Sequence, residues 1–127
     1  MNSNFIKNID KELEGTLCID FDGVIHNHNL GFHDGTIYGE PIEGSLEALK
    51  ELSLKYKIII FTCKAHPDRP MIEGKTGVEL VWGWLREHNV AQYIKEVTAI
   101  KPIASAYIDD KAIRFENWNQ CLKDIIK

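Results

Sequence analysis

Short apolar segments constrain the fold of this chain more than any other sequence feature. Four of them occur, at residues 16–21, 55–63, 94–100 and 105–110. Apolar runs of this length that stop at polar or turn residues are typical of strands buried in a parallel sheet. Because helical periodicity appears between them, we predict an α/β fold. The expected form is a three-layer, Rossmann-like domain with a central parallel sheet and helices on both faces.

Amphipathic segments between and after the strands predict three helices. In residues 45–52, leucines recur at about one-turn spacing, as in a helix that packs on a sheet. Thr76 and Glu79 have the spacing of a capping box, and apolar residues then follow at i, i+3, i+4 and i+7. In that helix we predict that Trp82 faces the core and Trp84 faces solvent. Asn117 and Gln120 have the spacing of a similar cap, which predicts a last helix that begins after Asn117. Its apolar stripe would be Trp118, Cys121, Leu122 and Ile125.

Size and composition predict one domain. The chain has 127 residues, of which 44% are hydrophobic, and this suffices for a single core across residues 1–127, with 1–14 as an amino-terminal extension. No apolar window is long enough to span a membrane, and the amino terminus lacks a secretory pattern. Three cysteines without C-x-x-C spacing fit reduced thiols, so we predict a cytoplasmic location.

The net charge of -4 argues against a broad surface that binds nucleic acid. A local basic groove is the alternative that the charge leaves open. Its residues would be Lys64, Arg69, Lys75 and Lys111.

Acidic residues stand where two of the predicted strands end. Asp20 and Asp22 lie two positions apart, so their side chains would point the same way from an extended strand. Asp109 and Asp110 supply a second acidic pair. Because the carboxyl ends of parallel strands share one crevice, four carboxylates would meet there. They require a counter-charge, which Mg²⁺ and Lys101 would provide, and oxygen-only ligands suit Mg²⁺.

Each of these residues has a simpler interpretation when taken alone. Asp22 with Gly23 is a common turn pair, and Asp109 and Asp110 are ordinary helix-capping residues. Thr62 is a frequent strand residue. Their joint occurrence, in one order and each at a strand end, favours the functional interpretation.

Four segments carry a resemblance to a known family. They are DFDGV at 20–24, IIIFTCK at 58–64, Lys101 within TAIKP, and YIDDKAIRF at 107–115. Together they resemble the four motifs of the haloacid dehalogenase superfamily. The resemblance implies an Mg²⁺-dependent phosphomonoester hydrolase that works through an aspartyl-phosphate intermediate.

The resemblance also implies a role for each matched residue. Asp20 would be the nucleophile, and Asp22 the general acid and base, with a pKa raised by burial beside other carboxylates. The phosphoryl group would be bound by residues of motifs two and three, and the metal by four carboxylates. The first set is Thr62, Cys63, Lys64 and Lys101; the second is Asp20, Asp22, Asp109 and Asp110. Thr62 and Lys101 would also be catalytic residues, with Lys101 offsetting the phosphoryl charge and steadying Asp20.

Neither gap between the first three motifs is long enough for a cap domain, so the resemblance implies a capless member. The glycine-rich segment 25–40, which is too polar for a core, is expected to form a flap that sets substrate choice. We interpret its histidines as exposed or substrate-facing rather than as a zinc site. These are His26, His28 and His33.

Two residues after motif two have roles that remain open. His66 or Arg69 would contact a substrate group, or both belong to a polar loop around two prolines. Cys63 is expected to be a small buried strand residue rather than a redox group.

Two other functions compete with the phosphatase. A receiver domain would also combine acids with a Thr and a Lys before Pro, but its phosphate-accepting Asp belongs on a middle strand. The other is a catalytically silent module of the same fold that binds a phosphorylated ligand. The predicted partner is a phosphorylated substrate of unknown class, and the sequence does not predict the oligomeric state.

Overall fold

The computed structural model describes residues 15–126, and within them the chain forms a four-stranded parallel sheet with three α-helices. The elements in chain order are β1 (Thr16–Asp20), α1 (Ser45–Leu52), β2 (Lys57–Phe61), α2 (Gly77–Glu87), β3 (Glu96–Thr98), β4 (Ala106–Ile108) and α3 (Trp118–Ile126). The predicted α/β fold with a parallel sheet is confirmed. Each strand is shorter than its apolar segment, and the predicted extension 1–14 lies outside the described residues.

The sheet has the strand order β3-β2-β1-β4, with every neighbouring pair parallel. The chain therefore builds outwards on one side of β1 and then returns to its other side. Open α/β sheets bind ligands at such a reversal of strand order, beyond the carboxyl ends of the strands. In this sheet the reversal lies between β1 and β4.

The main hydrophobic core lies on one face of the sheet. Leu17 and Ile19 of β1 alternate with residues that point the other way, and they belong to the same buried cluster as Ile58 and Ile60 of β2. α1 and α2 complete this cluster through Leu49, Val81, Trp84 and Leu85. α3 contributes less, because Cys121 is buried whereas Trp118, Leu122 and Ile125 of its predicted stripe are exposed.

Local capping fixes where α2 and α3 begin. The backbone N–H of Glu79 donates to Oγ1 of Thr76, and the Glu79 carboxylate accepts from the Thr76 backbone N–H, so the predicted capping box is present. The backbone N–H of Gln120 donates to Oδ1 of Asn117 over 2.9 Å, which confirms the second predicted cap.

Trp84 is the exception in α2, because it is buried and not exposed as predicted. Its indole Nε1–H donates to the carbonyl oxygen of Gly39 over 3.0 Å, and its ring meets Phe21 edge-on. The segment before α1 therefore covers a helix face that would otherwise meet solvent. Trp82 is partly buried against the core, as predicted. No helix in the described part of the chain is long and apolar enough to cross a membrane.

Candidate functional site

Three carboxylates converge at the carboxyl ends of β1 and β4. One oxygen of each of Asp20, Asp109 and Asp110 lies within 4.8 Å of the others, and we call this group the acidic cluster. Burial raises the pKa of Asp20 to about 6, and the negative charge of Asp109 adds to the rise. Two acids from the end of β1 and two from the end of β4 were predicted to meet here. The structure brings together three of the four.

A tight turn after β1 accounts for the position of the fourth acid. The carbonyl oxygen of Phe21 accepts backbone N–H bonds from Ile25 and His26, each 2.9 Å long. Gly23 has a φ of +87°, and a Cβ atom there would overlap the carboxylate of Asp110. Only glycine therefore allows this turn to lie against the acidic cluster.

Asp22 lies in a separate network of hydrogen bonds. Its Oδ1 accepts from Nδ1 of His26 over 3.0 Å. Its Oδ2 lies 3.3 Å from Oγ1 of Thr62 and 3.2 Å from Nζ of Lys64. The backbone N–H of Gly39 donates to Nε2 of His26 over 2.9 Å, which leaves the proton of a neutral imidazole on Nδ1. We call Asp22, His26, Thr62 and Lys64 the Asp22 network.

This network reverses the predicted titration of Asp22. Burial by itself raises the pKa of Asp22, but the hydrogen bond from His26 and the positive charge of Lys64 outweigh it, and the pKa lies below its usual value. The expectation of a raised pKa is therefore wrong. That expectation assumed that other carboxylates surround Asp22. The groups that contact its carboxylate are instead the imidazole of His26 and the buried ammonium of Lys64.

His28 adds a second imidazole next to Asp22. Its Nδ1 lies 3.4 Å from Oδ1 of Asp22, is buried, and makes no hydrogen bond within residues 15–126. Burial lowers the pKa of His28. Ligand atoms of Asp22, His26 and His28 are close enough for a metal ion, but both ring nitrogens of His26 are already hydrogen-bonded. A zinc ion here would have to break one of those bonds.

The residues of motif two follow β2 directly. Thr62 and Lys64 are buried, and Oγ1 of Thr62 also accepts the backbone N–H of Lys64 over 3.2 Å. Cys63 is exposed, so the expectation of a small buried residue is wrong. It lies in a 3₁₀ turn after the strand has ended, and there the side chain faces solvent.

Lys101 is not placed with the other predicted residues. Its side chain is exposed, and Nζ lies 4.4 Å from the centroid of the Tyr107 ring. Among residues 15–126, no carboxylate forms an ion pair with it. The predicted catalytic role of Lys101 stays a prediction, whereas the side chain of Lys64 does contact an acid of the site, Asp22.

A crevice of about 500 Å³ joins the acidic cluster to the Asp22 network. Asp20 and Asp110 line it on one side, and Lys64, Arg69 and Lys111 bring positive charge to it. Such a mixed lining suits a ligand whose negative charge is bound together with a cation. The other lining residues are Asp22, Gly23, Asn27, His28, Asn29, Phe32, Ile42 and Cys63.

The predicted flap 25–40 has a buried base. Ile25 and His26 are only 1% and 0% exposed, so the expectations that the segment is too polar for a core and that His26 faces substrate or solvent are wrong there. His26 stacks on Phe21 with ring centroids 5.2 Å apart. Its bond from Gly39 then ties the far end of the segment to the Asp22 network.

The tip of the flap is closed by one tyrosine. The hydroxyl of Tyr38 accepts from the backbone N–H of Leu30 over 2.9 Å and donates to the carbonyl oxygen of Gly31 over 2.7 Å. Phe32 and His33 at this tip are exposed, and Phe32 lines the crevice. The flap can therefore meet a ligand through Phe32 at this tip and through Asn27, His28 and Asn29, which also line the crevice.

Sequence reasoning missed two features of the site: the hydrogen bonds that join His26 to Asp22 and Gly39, and the presence of Asn27 in the crevice. His26 offers no local signal, because its burial depends on Gly39 and Trp84 far along the chain. Of the four residues in the local basic groove that the net charge left open, Lys64, Arg69 and Lys111 line the crevice and Lys75 does not.

Comparisons of the chain with protein families, with curated proteins and with solved structures give no match. The resemblance to the haloacid dehalogenase superfamily therefore rests on the four motifs alone.

Proposed function

We propose that this protein is an Mg²⁺-dependent phosphomonoester hydrolase in which Asp20 is the nucleophile. The observation that carries the proposal is the acidic cluster, which lies at the reversal of strand order and opens onto the same crevice as a buried lysine, Lys64. Three carboxylates with a raised pKa at Asp20 form an unfavourable arrangement without a cation. A phosphoryl group with its metal ion would remove that cost.

The donor set of the acidic cluster fits Mg²⁺. Asp20, Asp109 and Asp110 offer only carboxylate oxygens, which are the ligands that this hard cation prefers. When bound, Mg²⁺ supplies positive charge that lowers the repulsion between the phosphate and the carboxylates. Asp22 is not one of these three ligands, because its carboxylate is bound to Lys64 and His26 in the Asp22 network.

In the first step, a carboxylate oxygen of Asp20 attacks phosphorus, and the bond from phosphorus to the ester oxygen breaks. In the second step, water attacks the aspartyl phosphate, and Asp22 takes its proton while the Asp20 carboxylate is released with inorganic phosphate. The anionic form of Asp22 suits this base role. An alkyl leaving group would also need a proton, which only the protonated fraction of Asp22 supplies.

Lys64 and Thr62 would keep Asp22 in place and bring positive charge and a hydroxyl near the phosphoryl oxygens. We propose Cys63 as a residue next to the substrate, because it lines the crevice. Lys101 would have to leave the ring of Tyr107 in order to reach Asp20.

The finer form of the fold also belongs to this proposal: three layers, helices on both faces, and no cap domain. We place the enzyme in the cytoplasm, where its free cysteines would stay reduced. The competing function is a silent module of the same fold that binds a phosphorylated ligand. All four predicted acids are present, and this favours the enzyme.

Hydrolysis of p-nitrophenyl phosphate, with Mg²⁺ and with a chelator, tests the proposal. Asp20→Asn should abolish turnover and leave the circular dichroism spectrum unchanged. Asp68→Asn is the matched control, because the Asp68 side chain is 91% exposed and lies outside the crevice. Turnover by Asp20→Asn, or full activity in the chelator, would show that the nucleophile or the metal is wrongly assigned. Phosphate binding without any turnover would favour the silent module.

A further inference from the structure

Arg69 brings a positive charge to the crevice, and no carboxylate among residues 15–126 forms an ion pair with it. It lines the crevice together with Asp20 and Asp22. Within the described part of the chain, its guanidinium forms no ion pair, whereas Lys64 is paired with Asp22 over 3.2 Å. The neighbouring acid Asp68 lies 3.8 Å from Nδ1 of His66 instead.

The guanidinium is held in position by the flap. Its central carbon lies 5.1 Å from the centroid of the Phe32 ring, a distance typical of a cation–π contact. The backbone of Arg69 is fixed by an N–H bond to the carbonyl oxygen of His66, 3.1 Å long. Stacking on a ring leaves the N–H groups at the edge of the guanidinium free to bind an anion.

The charges of the crevice separate into two groups. Asp20, Asp109 and Asp110 would be balanced by the metal ion, and Lys64 is balanced by Asp22. This leaves Arg69 and Lys111, neither of which forms an ion pair with a residue in the range 15–126. A planar guanidinium that keeps free N–H groups suits bidentate binding of a carboxylate or phosphate.

We propose that Arg69 forms a second anion-binding subsite, which takes a carboxylate or phosphate on the leaving group of the substrate. The inference rests on the proposed function for the bound phosphoryl group and names the class of its substrate. The preferred substrate is thus a small phosphate ester with two anionic groups. Phe32 is the positioning residue of this subsite.

Binding of three inert analogues with Mg²⁺ at neutral pH tests the subsite by calorimetry. 4-Carboxybenzylphosphonate bears a carboxylate as its second anion, and 1,4-xylylenebisphosphonate bears a second phosphonate. 4-Carbamoylbenzylphosphonate has nearly the shape of the first but lacks a second anionic group. Since the analogues cannot be hydrolysed, the measurement does not depend on Asp20 as nucleophile.

The protein should bind at least one analogue with two anionic groups roughly tenfold or more tightly than the carbamoyl analogue, as charge-assisted hydrogen bonds allow. Arg69→Gln should remove this preference while leaving binding of the carbamoyl analogue within about twofold, and Phe32→Leu should weaken it. Arg86→Gln is the matched control, because Arg86 is exposed on α2 and does not line the crevice. The two charged analogues show which anion the subsite prefers.

An equal preference in Arg69→Gln and in the unaltered protein would overturn the subsite, as would the lack of any preference in the unaltered protein. If none of the analogues binds, both the subsite and the proposed function are wrong. If the protein prefers the analogues with two anionic groups through Arg69 but hydrolyses no phosphate ester, the subsite is supported and the proposed enzymatic function is wrong.

Discussion

The Nδ1–H of His26 donates to Oδ1 of Asp22 over 3.0 Å, and this bond joins the flap to the end of β1. His26 is fully buried and accepts the Gly39 N–H on its other nitrogen. Asp22 is thus fixed in position by a residue that does not line the crevice. Because each ring nitrogen of His26 makes one hydrogen bond, the effect of each bond can be measured separately by substitution.

Two substitutions of His26 separate these bonds. In His26→Asn the amide nitrogen lies near the position of Nδ1, so it keeps the donor to Asp22 and leaves the Gly39 N–H unpaired. In His26→Gln the longer side chain keeps an acceptor for Gly39 and removes the donor to Asp22. Each unpaired buried group should lower the free energy of unfolding by about 1–3 kcal/mol in urea denaturation.

Only His26→Gln should change the titration of Asp22. Loss of the His26 donor raises the pKa of Asp22, so the acid limb of the pH–rate profile moves to higher pH. His33→Asn is the matched control, because His33 is exposed on the same flap and its φ of 53° suits asparagine. Equal pH profiles for the two His26 variants would show that the bond to Asp22 does not set its pKa.

Asp22→Asn should affect the two chemical steps differently. An aryl phosphate with a good leaving group needs no proton in the first step, so about one equivalent of phenol should appear in a burst. The second step lacks its base, and steady turnover should fall by on the order of 10²- to 10⁴-fold. Alkyl phosphates should lose more and show no burst. If turnover of aryl and alkyl phosphates falls equally and no burst appears, Asp22 is not the general acid and base.

Replacing Lys64 and Lys101 by methionine should affect kcat/KM to different extents. Lys64 is buried and forms a charge-assisted hydrogen bond to Asp22, so Lys64→Met should lower kcat/KM by about 10- to 100-fold. Lys101 is exposed over Tyr107, and Lys101→Met should stay within about threefold. If Lys101→Met is the inactive variant, the role implied by the family resemblance is right and Lys101 moves to Asp20 during the reaction.

Local sequence signals predicted much of this fold. The capping box of Thr76 and Glu79 and the cap at Asn117 involve residues three apart, so both could be predicted from the sequence alone. The acidic cluster could also be expected, because parallel strands end at one edge of the sheet. Asp20 and Asp109 therefore meet although 89 positions separate them.

What the sequence did not predict depends on contacts between distant segments. Trp84 is buried because the carbonyl of Gly39 accepts its indole N–H, a contact across 45 positions. Asp22 departs from its expected pKa because His26 and Lys64 approach it from two different segments. No periodicity or spacing in the chain encodes these contacts. The contacts of Gly39 with His26 and Trp84 form when the flap packs on α2, and the contact of Lys64 with Asp22 forms when β2 pairs with β1.

The last prediction concerns the stability of the metal-free protein as a function of pH. The pKa of Asp20 is raised from 3.8 to about 6, so the folded protein holds this proton more tightly than the unfolded chain does. As pH rises from about 4, the unfolded chain gives up the proton first, and the free energy of unfolding falls until the pH passes about 6.

In a chelator, Tm should therefore fall by roughly 3–6 °C between pH 5 and pH 7.5, a modest change because Asp20 is partly open to solvent. Mg²⁺ should raise Tm more at pH 7.5 than at pH 5, since the cation binds the charged carboxylates. Asp20→Asn has no proton to lose at this position, so its metal-free Tm should change less with pH and respond less to Mg²⁺.

Asp68→Asn, which alters an exposed acid, should behave like the unaltered protein. A metal-free Tm with the same pH dependence in Asp20→Asn would show that Asp20 does not carry the raised pKa, and the charge repulsion that motivates the metal site would then be absent.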